Sequence, residues 1–152
     1  MGGASRWWLN GSVAALNADL TKRGGSLCLR QGSAPEVLAT LLADTGASAI
    51  HVTRGYEPWE MELEKAVARA CEAAGAAFRV FGGRLLFEPE AIVTGDGKPY
   101  RVFTPFWKAC LAAGAPRTPL PQPKRLRFAE AKSDRLEVLK LLPTRPDWAQ
   151  GL

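Results

Sequence analysis

Ala49-Ile50-His51-Val52, then a helical stretch from Trp59 to Ala74, then Gly75 and Ala77-Phe78-Arg79-Val80-Phe81, is the passage that decides the fold. Both short runs are apolar and rich in β-branched or aromatic residues, which suits strands. The intervening stretch presents Met61, Ala66, Val67 and Ala70 at helical spacing and stops at a glycine. Two strands joined by a helix of this length become parallel neighbours through a crossover connection. The passage therefore predicts a βαβ unit.

Reading toward the amino end, the pattern repeats. Ala34-Pro35-Glu36-Val37 opens a helix with proline early and an acid in the first turn, and the helix runs to Asp44 before Gly46. Ahead of it, Ser26-Leu27-Cys28-Leu29-Arg30 is a short apolar run between glycines and predicts a strand. Ahead of that, Val13, Leu16 and Leu20 mark a helix from Ser12 to Lys22, starting as early as Arg6, with Arg23-Gly24-Gly25 as its stop. Three helix-then-strand units predict an α/β fold with a Rossmann-like doubly wound parallel sheet. Ligands of such sheets bind beyond the carboxyl ends of the strands, which here are Arg30-Gln31-Gly32, Thr53-Arg54-Gly55-Tyr56 and Gly82-Gly83-Arg84.

Toward the carboxyl end the alternation stops. Leu85 to Pro89 and the Gly95-Asp96-Gly97-Lys98 turn form an irregular excursion, and a short helix is predicted near Thr104 to Ala113. From Gly114 onward, Pro116, Pro119, Pro121 and Pro123 favour extended backbone. The expected organisation is a domain over 6–113 and a proline-rich linker over 114–152. With 152 residues, 47% apolar and 23% charged, the chain fits one globular domain.

Composition excludes several classes. Cys28, Cys71 and Cys110 are odd in number and far apart, which fits neither a disulfide framework nor a C-x-x-C metal site, so they read as buried or incidental thiols. No apolar stretch is long enough to span a membrane and the amino end has no signal-peptide pattern, so no membrane partner and a cytoplasmic location are expected. The net charge is +5. Part of it lies in Lys124-Arg125-Leu126-Arg127, which reads equally as a phosphate contact or a solvated linker. His51 is the single histidine and reads as a core or sheet-end residue rather than a general base. No P-loop and no G-x-G-x-x-G follow a strand, and no nucleophile–base–orienter set can be assembled. These residues indicate binding or support rather than turnover. Trp7-Trp8, Tyr56, Trp59, Phe103, Phe106 and Trp107 lie near element ends, where planar side chains either pack or wall a flat ligand.

Five ordered segments carry a resemblance. Arg6-Trp7-Trp8-Leu9-Asn10-Gly11-Ser12-Val13, Arg54-Gly55-Tyr56-Glu57-Pro58-Trp59, Leu85-Leu86-Phe87-Glu88-Pro89, Arg101-Val102-Phe103-Thr104-Pro105-Phe106-Trp107-Lys108 and Leu142-Pro143-Thr144-Arg145-Pro146-Asp147-Trp148-Ala149 resemble the photolyase/cryptochrome family. They appear in the family's order and at about its separations. The resemblance covers residues 6–152. It implies the N-terminal α/β domain of a flavoprotein, a carbon–carbon lyase that repairs cyclobutane pyrimidine dimers in DNA or a blue-light sensor. In that family this domain holds an antenna chromophore, a reduced folate or a deazaflavin, and passes excitation to FAD in a helical domain that follows. The implied partners are that FAD-binding domain and, through it, damaged DNA. A stand-alone α/β binding module without catalysis is the reading from another class.

The resemblance also implies departures. The family's first two strands, expected before Arg6, form the centre of its five-stranded sheet, so this chain is expected to lack them. Unpaired edges then predict marginal stability and self-association. FAD ligands belong to the helical domain and none is carried over. The antenna site maps to Tyr56, Glu57 and Glu60: an Asn-Glu pair that contacts folate in relatives corresponds to Trp59 and Glu60, and an Arg-Asp pair corresponds to Leu63 and Glu64. Glu60 reads either as an acceptor for a pterin amide and amine or as a first-turn acid favoured by the helix dipole.

Overall fold

The computed structural model describes residues 1–116, 118–123 and 126–149. Lys124 and Arg125 of the basic run lie outside the described residues. Four α-helices and two strands follow in the order α1 (Gly3–Thr21), α2 (Ala34–Thr45), β1 (Ala49–Thr53), α3 (Pro58–Ala73), β2 (Ala77–Phe81) and α4 (Phe103–Ala112). Two short 3-10 turns, Pro89–Ala91 and Leu136–Leu139, complete the set.

The central βαβ passage forms as the sequence predicts. β1 and β2 pair in parallel, Ala49 opposite Ala77 through Thr53 opposite Phe81. Alternation along each strand sends Ile50 and Phe78 to one face, where they pack beneath a cluster of Leu42, Val67 and Cys71. Leu42 comes from α2, and Val67 and Cys71 from α3. Two stop signals fix the lengths of these helices. Gly46 takes a left-handed φ of 65° and its N–H caps α2 at the Leu42 carbonyl, while Gly75 turns the chain after α3 at φ 69°.

Several expectations are corrected. Met61 is half exposed. Val67 of the expected inward set is buried and Ala66 and Ala70 are half-buried, while at the start of α3 the inward positions are taken by Glu60 and Glu64, which bond the loop before it. Ser26–Arg30 forms no strand and pairs with none among the described residues. Its backbone bonds go elsewhere: Leu27 N–H to Asn17 Oδ1, Leu29 N–H to Ser133 Oγ, Gln31 N–H to Asp134 Oδ2, and Asp134 N–H to the Leu29 carbonyl. All of these lie on the odd-numbered edge, and no neighbouring strand is present among the described residues. The α/β class holds, with a two-stranded parallel sheet.

Among the described residues, helices cover one face of that sheet. His51, placed by sequence in a core or at a sheet end, stands exposed on the other face with its ring 5.2 Å from that of Phe81. α1 begins at Gly3 rather than at Arg6 or Ser12 and buries no residue. Its amino end is held from the far end of the chain, where Trp148 packs against Trp7 and Gly3 and Arg6 donates to the Lys140 carbonyl. Ile92 and Cys110 of α4 are also buried, and both line the same cavity.

Candidate functional site

A cavity of about 330 Å³ opens at the carboxyl end of β1, between α2, α3 and the loop that leaves β2. That volume is at the lower end of small-molecule sites. Its apolar wall is Leu38, Val52, Leu63 and Phe78, its polar groups are Glu60, Glu64 and Arg84, and Trp59 stands at the mouth with 66% of its surface exposed.

The loop Arg54–Glu57 is shaped by carboxylates from the first turns of α3. Glu64 Oε1 accepts the Gly55 N–H at 2.6 Å, and Glu60 Oε2 accepts the N–H groups of Tyr56 at 3.0 Å and Glu57 at 3.2 Å. Glu57 and Glu60 form a reciprocal capping box, with Pro58 in the first turn where its missing N–H is harmless. Gly55 is required by close approach, since a Cβ there would sit 2.4 Å from the Cβ of Glu60.

Arg84, from the loop after β2, donates to Glu60 Oε1 at 2.5 Å. That guanidinium, followed by the backbone N–H groups of the capping loop, holds the Glu60 carboxyl below the ordinary glutamate range. The folded state therefore favours the ionised form. Stability from these bonds is present at neutral pH and is lost as pH falls below the ordinary value of 4.5 and through the lower folded value. Thermal melts between pH 7 and pH 3 should show this acid limb, and Glu60→Gln should flatten it while lowering the midpoint at neutral pH. An acid limb of unchanged slope in the variant would show that Glu60 is not part of it.

On the outer side of the same loop, the Tyr56 hydroxyl donates to the Glu88 carboxylate, 2.9 Å from each oxygen, and Arg54 donates to Glu88 at 3.0 Å. Partial desolvation, then the Glu88 hydrogen bond and charge, push the Tyr56 phenol up from its ordinary value. Glu88 in turn lies over Gly82, where any Cβ would overlap it.

Of the three residues expected at an antenna site, only Glu60 lines the cavity. Tyr56 and Glu57 frame it through their backbone N–H groups, and the Tyr56 ring turns outward to Glu88. Arg84, named in the sequence at the carboxyl end of the third predicted strand, and Glu64, matched there only to a pair carried by relatives, both line the cavity. Glu64 follows Glu60 by one helical turn on the same face. The pairing of Arg84 with Glu60 has no local signal, because Arg84 arrives from a loop 24 positions away. Among the described residues, no group of histidine, cysteine, aspartate or glutamate is arranged to hold a metal, and no helix is long and apolar enough to cross a membrane.

Residues 1–124 match the family model described as DNA photolyase. The chain is 43% identical over 152 residues to a deoxyribodipyrimidine photo-lyase of Agrobacterium fabrum, covering 99% of this chain and 32% of that relative. It is 34% identical over 129 residues to cryptochrome-1 of Arabidopsis thaliana, covering 82% of this chain and 19% of the relative. The crystal structure of a bacterial class III photolyase from Agrobacterium tumefaciens superposes with a TM-score of 0.89 at 43% identity, over 98% of this chain and 31% of that one. The chain thus spans about a third of the length of the photolyase relative.

Proposed function

The chain belongs to the DNA photolyase family, and from that premise we propose that its α/β layer is the antenna portion of a photolyase, holding a reduced folate or a deazaflavin beside Tyr56, Glu57 and Glu60. The observation that carries this reading is the cavity beyond the carboxyl end of β1, at the mouth of which Trp59 offers an exposed ring. The residues fit a flat heterocycle: an apolar wall for its faces, carboxylates for N–H donors and a volume suited to a fused ring system. When bound, the chromophore would supply excitation by absorbing light. Residues of this chain would hold it, orient it and shield it from water.

The parent activity is light-driven splitting of cyclobutane pyrimidine dimers in damaged DNA, by reduced FAD held in a helical domain outside residues 1–152. In this reading 6–113 is the antenna domain, 114–152 the connector, and the protein works in the cytoplasm. Higher identity over a larger share of the chain favours the photolyase reading over the cryptochrome one.

The test is a titration of the 152-residue chain with 5,10-methenyltetrahydrofolate and, separately, with an 8-hydroxy-5-deazaflavin, followed by fluorescence. One of the two should bind saturably at one per chain, while the chain retains no FAD and splits no dimers in light. Binding of neither would remove the antenna role in favour of a binding module of other specificity, and stoichiometric FAD or repair above background would overturn the division of labour.

A further inference from the structure

The positive charge of the chain is gathered in one place. From Gly97 to Ala129 the sequence has no aspartate or glutamate and seven lysines or arginines, the last four being Arg117, Lys124, Arg125 and Arg127. The remaining residues hold thirteen cations against fifteen acids, so the whole excess of +5 arises in this stretch. Among the described residues, Lys98 at its start pairs with Asp96, whereas Arg101, Lys108 and Arg127 are exposed and meet no carboxylate.

The sequence leaves Lys124 to Arg127 equally as a phosphate contact or a solvated linker. The structure ties down the chain on both sides of that run. Pro116 and Pro119 line a cavity with Phe81, Leu85 and Leu86 after β2. Further on, the Pro123 carbonyl accepts a bond from Arg23 Nη1 at 3.1 Å, and the Phe128 ring lies on Gly25 so closely that a Cβ there would overlap it. Both anchors are at the carboxyl end of α1, where Asp19 is already taken by Lys22 at 3.2 Å. A free linker would have to be ordered on binding, and a strap already fixed at its flanks has lost part of that entropy in advance.

We propose that this acid-free stretch, clasped to the end of α1, is a binding site for the phosphate backbone of duplex DNA, separate from the cavity at β1 and independent of any lesion. It goes beyond the antenna reading and does not rest on it. Three of the last four cations are arginines, whose planar forks match phosphate oxygens two at a time. A bilayer is the poorer partner. The described part of the strap is not helical and turns its one aromatic ring onto Gly25, so it lacks the amphipathic helix with which peripheral proteins enter lipid.

The test is fluorescence anisotropy of the full 152-residue chain with two undamaged DNA duplexes of unrelated sequence, between about 50 and 200 mM salt. Both duplexes should bind equally, with log K falling against log salt at a slope of about −3 or steeper. Lys124→Gln, Arg125→Gln and Arg127→Gln in one chain should make the slope shallower by about 2–3 and weaken binding about tenfold or more at the lower salt. The control removes the same charge from exposed positions elsewhere, Lys65→Gln, Arg69→Gln and Arg79→Gln, and should keep the wild-type slope. Circular dichroism melts check that both variants fold. Equal losses in the two variants would reduce the effect to net charge and overturn the site, as would a wild-type chain that leaves both duplexes unbound at the lower salt. Binding to vesicles of phosphatidylserine but not to DNA would give these cations to a membrane surface and overturn it too. None of these outcomes alters the chromophore titration, so the two readings fail separately.

Discussion

In sedimentation velocity, residues 1–152 should divide between monomer and larger species in a proportion that shifts with concentration. β1 is paired along one edge only among the described residues, and the face of the sheet bearing His51, Arg79 and Phe81 is bare. Parallel strands in folded proteins are ordinarily buried on both faces, and an open strand edge is a template for another chain. Apolar residues elsewhere add to the tendency, since Phe103 and Leu86 are more than two-thirds exposed. A second copy pairing along β1 would satisfy that edge. A single species at every concentration, with a sharp cooperative melt, would show that this two-stranded pair needs no further cover.

Leu42→Ala should remove most of the stability of the core. The central cluster has only three buried members, Leu42, Val67 and Cys71, so no neighbouring layer can take over the lost contacts. Truncating a buried leucine costs about 2–5 kcal/mol, against about 5–15 kcal/mol for a whole domain. In urea unfolding the midpoint should drop sharply, or the transition should disappear. The control is Leu120→Ala, since Leu120 is 78% exposed and its loss should move stability by less than about 0.5 kcal/mol. Equal effects from the two variants would place the stabilising contacts outside this cluster.

The contrast between two similar runs explains how far the sequence could be read. Ala49–Thr53 and Ala77–Phe81 each lie between chain-turning glycines, and each has the other as partner across α3, so local pattern and pairing agree. Ser26–Arg30 has the same apolar, glycine-bounded text and no strand beside it, so it settles for side-chain partners from Asn17, Ser133 and Asp134. Strand propensity is a property of a run, but a strand is a property of a pair. The helices were legible to within a residue or two wherever proline and glycine marked their ends, as in α2 and α3. α1 was not, because its start depends on Trp148 from the other end of the chain. At the site, Glu60 was legible as a first-turn acid. Its saturation by three donors was not, since that depends on where Arg84 and the loop Arg54–Glu57 come to rest.

The bonds that tie Leu29 and Gln31 to Ser133 and Asp134 close a ring of about a hundred residues. Closing a ring of that length costs on the order of 4 kcal/mol in chain entropy, growing only slowly with the number of residues inside it. About four hydrogen bonds do the closing, counting Cys28 Sγ to the Lys132 carbonyl, and each contributes about 1 kcal/mol net. Gain and cost nearly cancel, so this clasp works as a latch rather than a rivet. None of these four bonds involves β1 or β2, so the clasp can open and reclose while the ladder between the two strands stays paired.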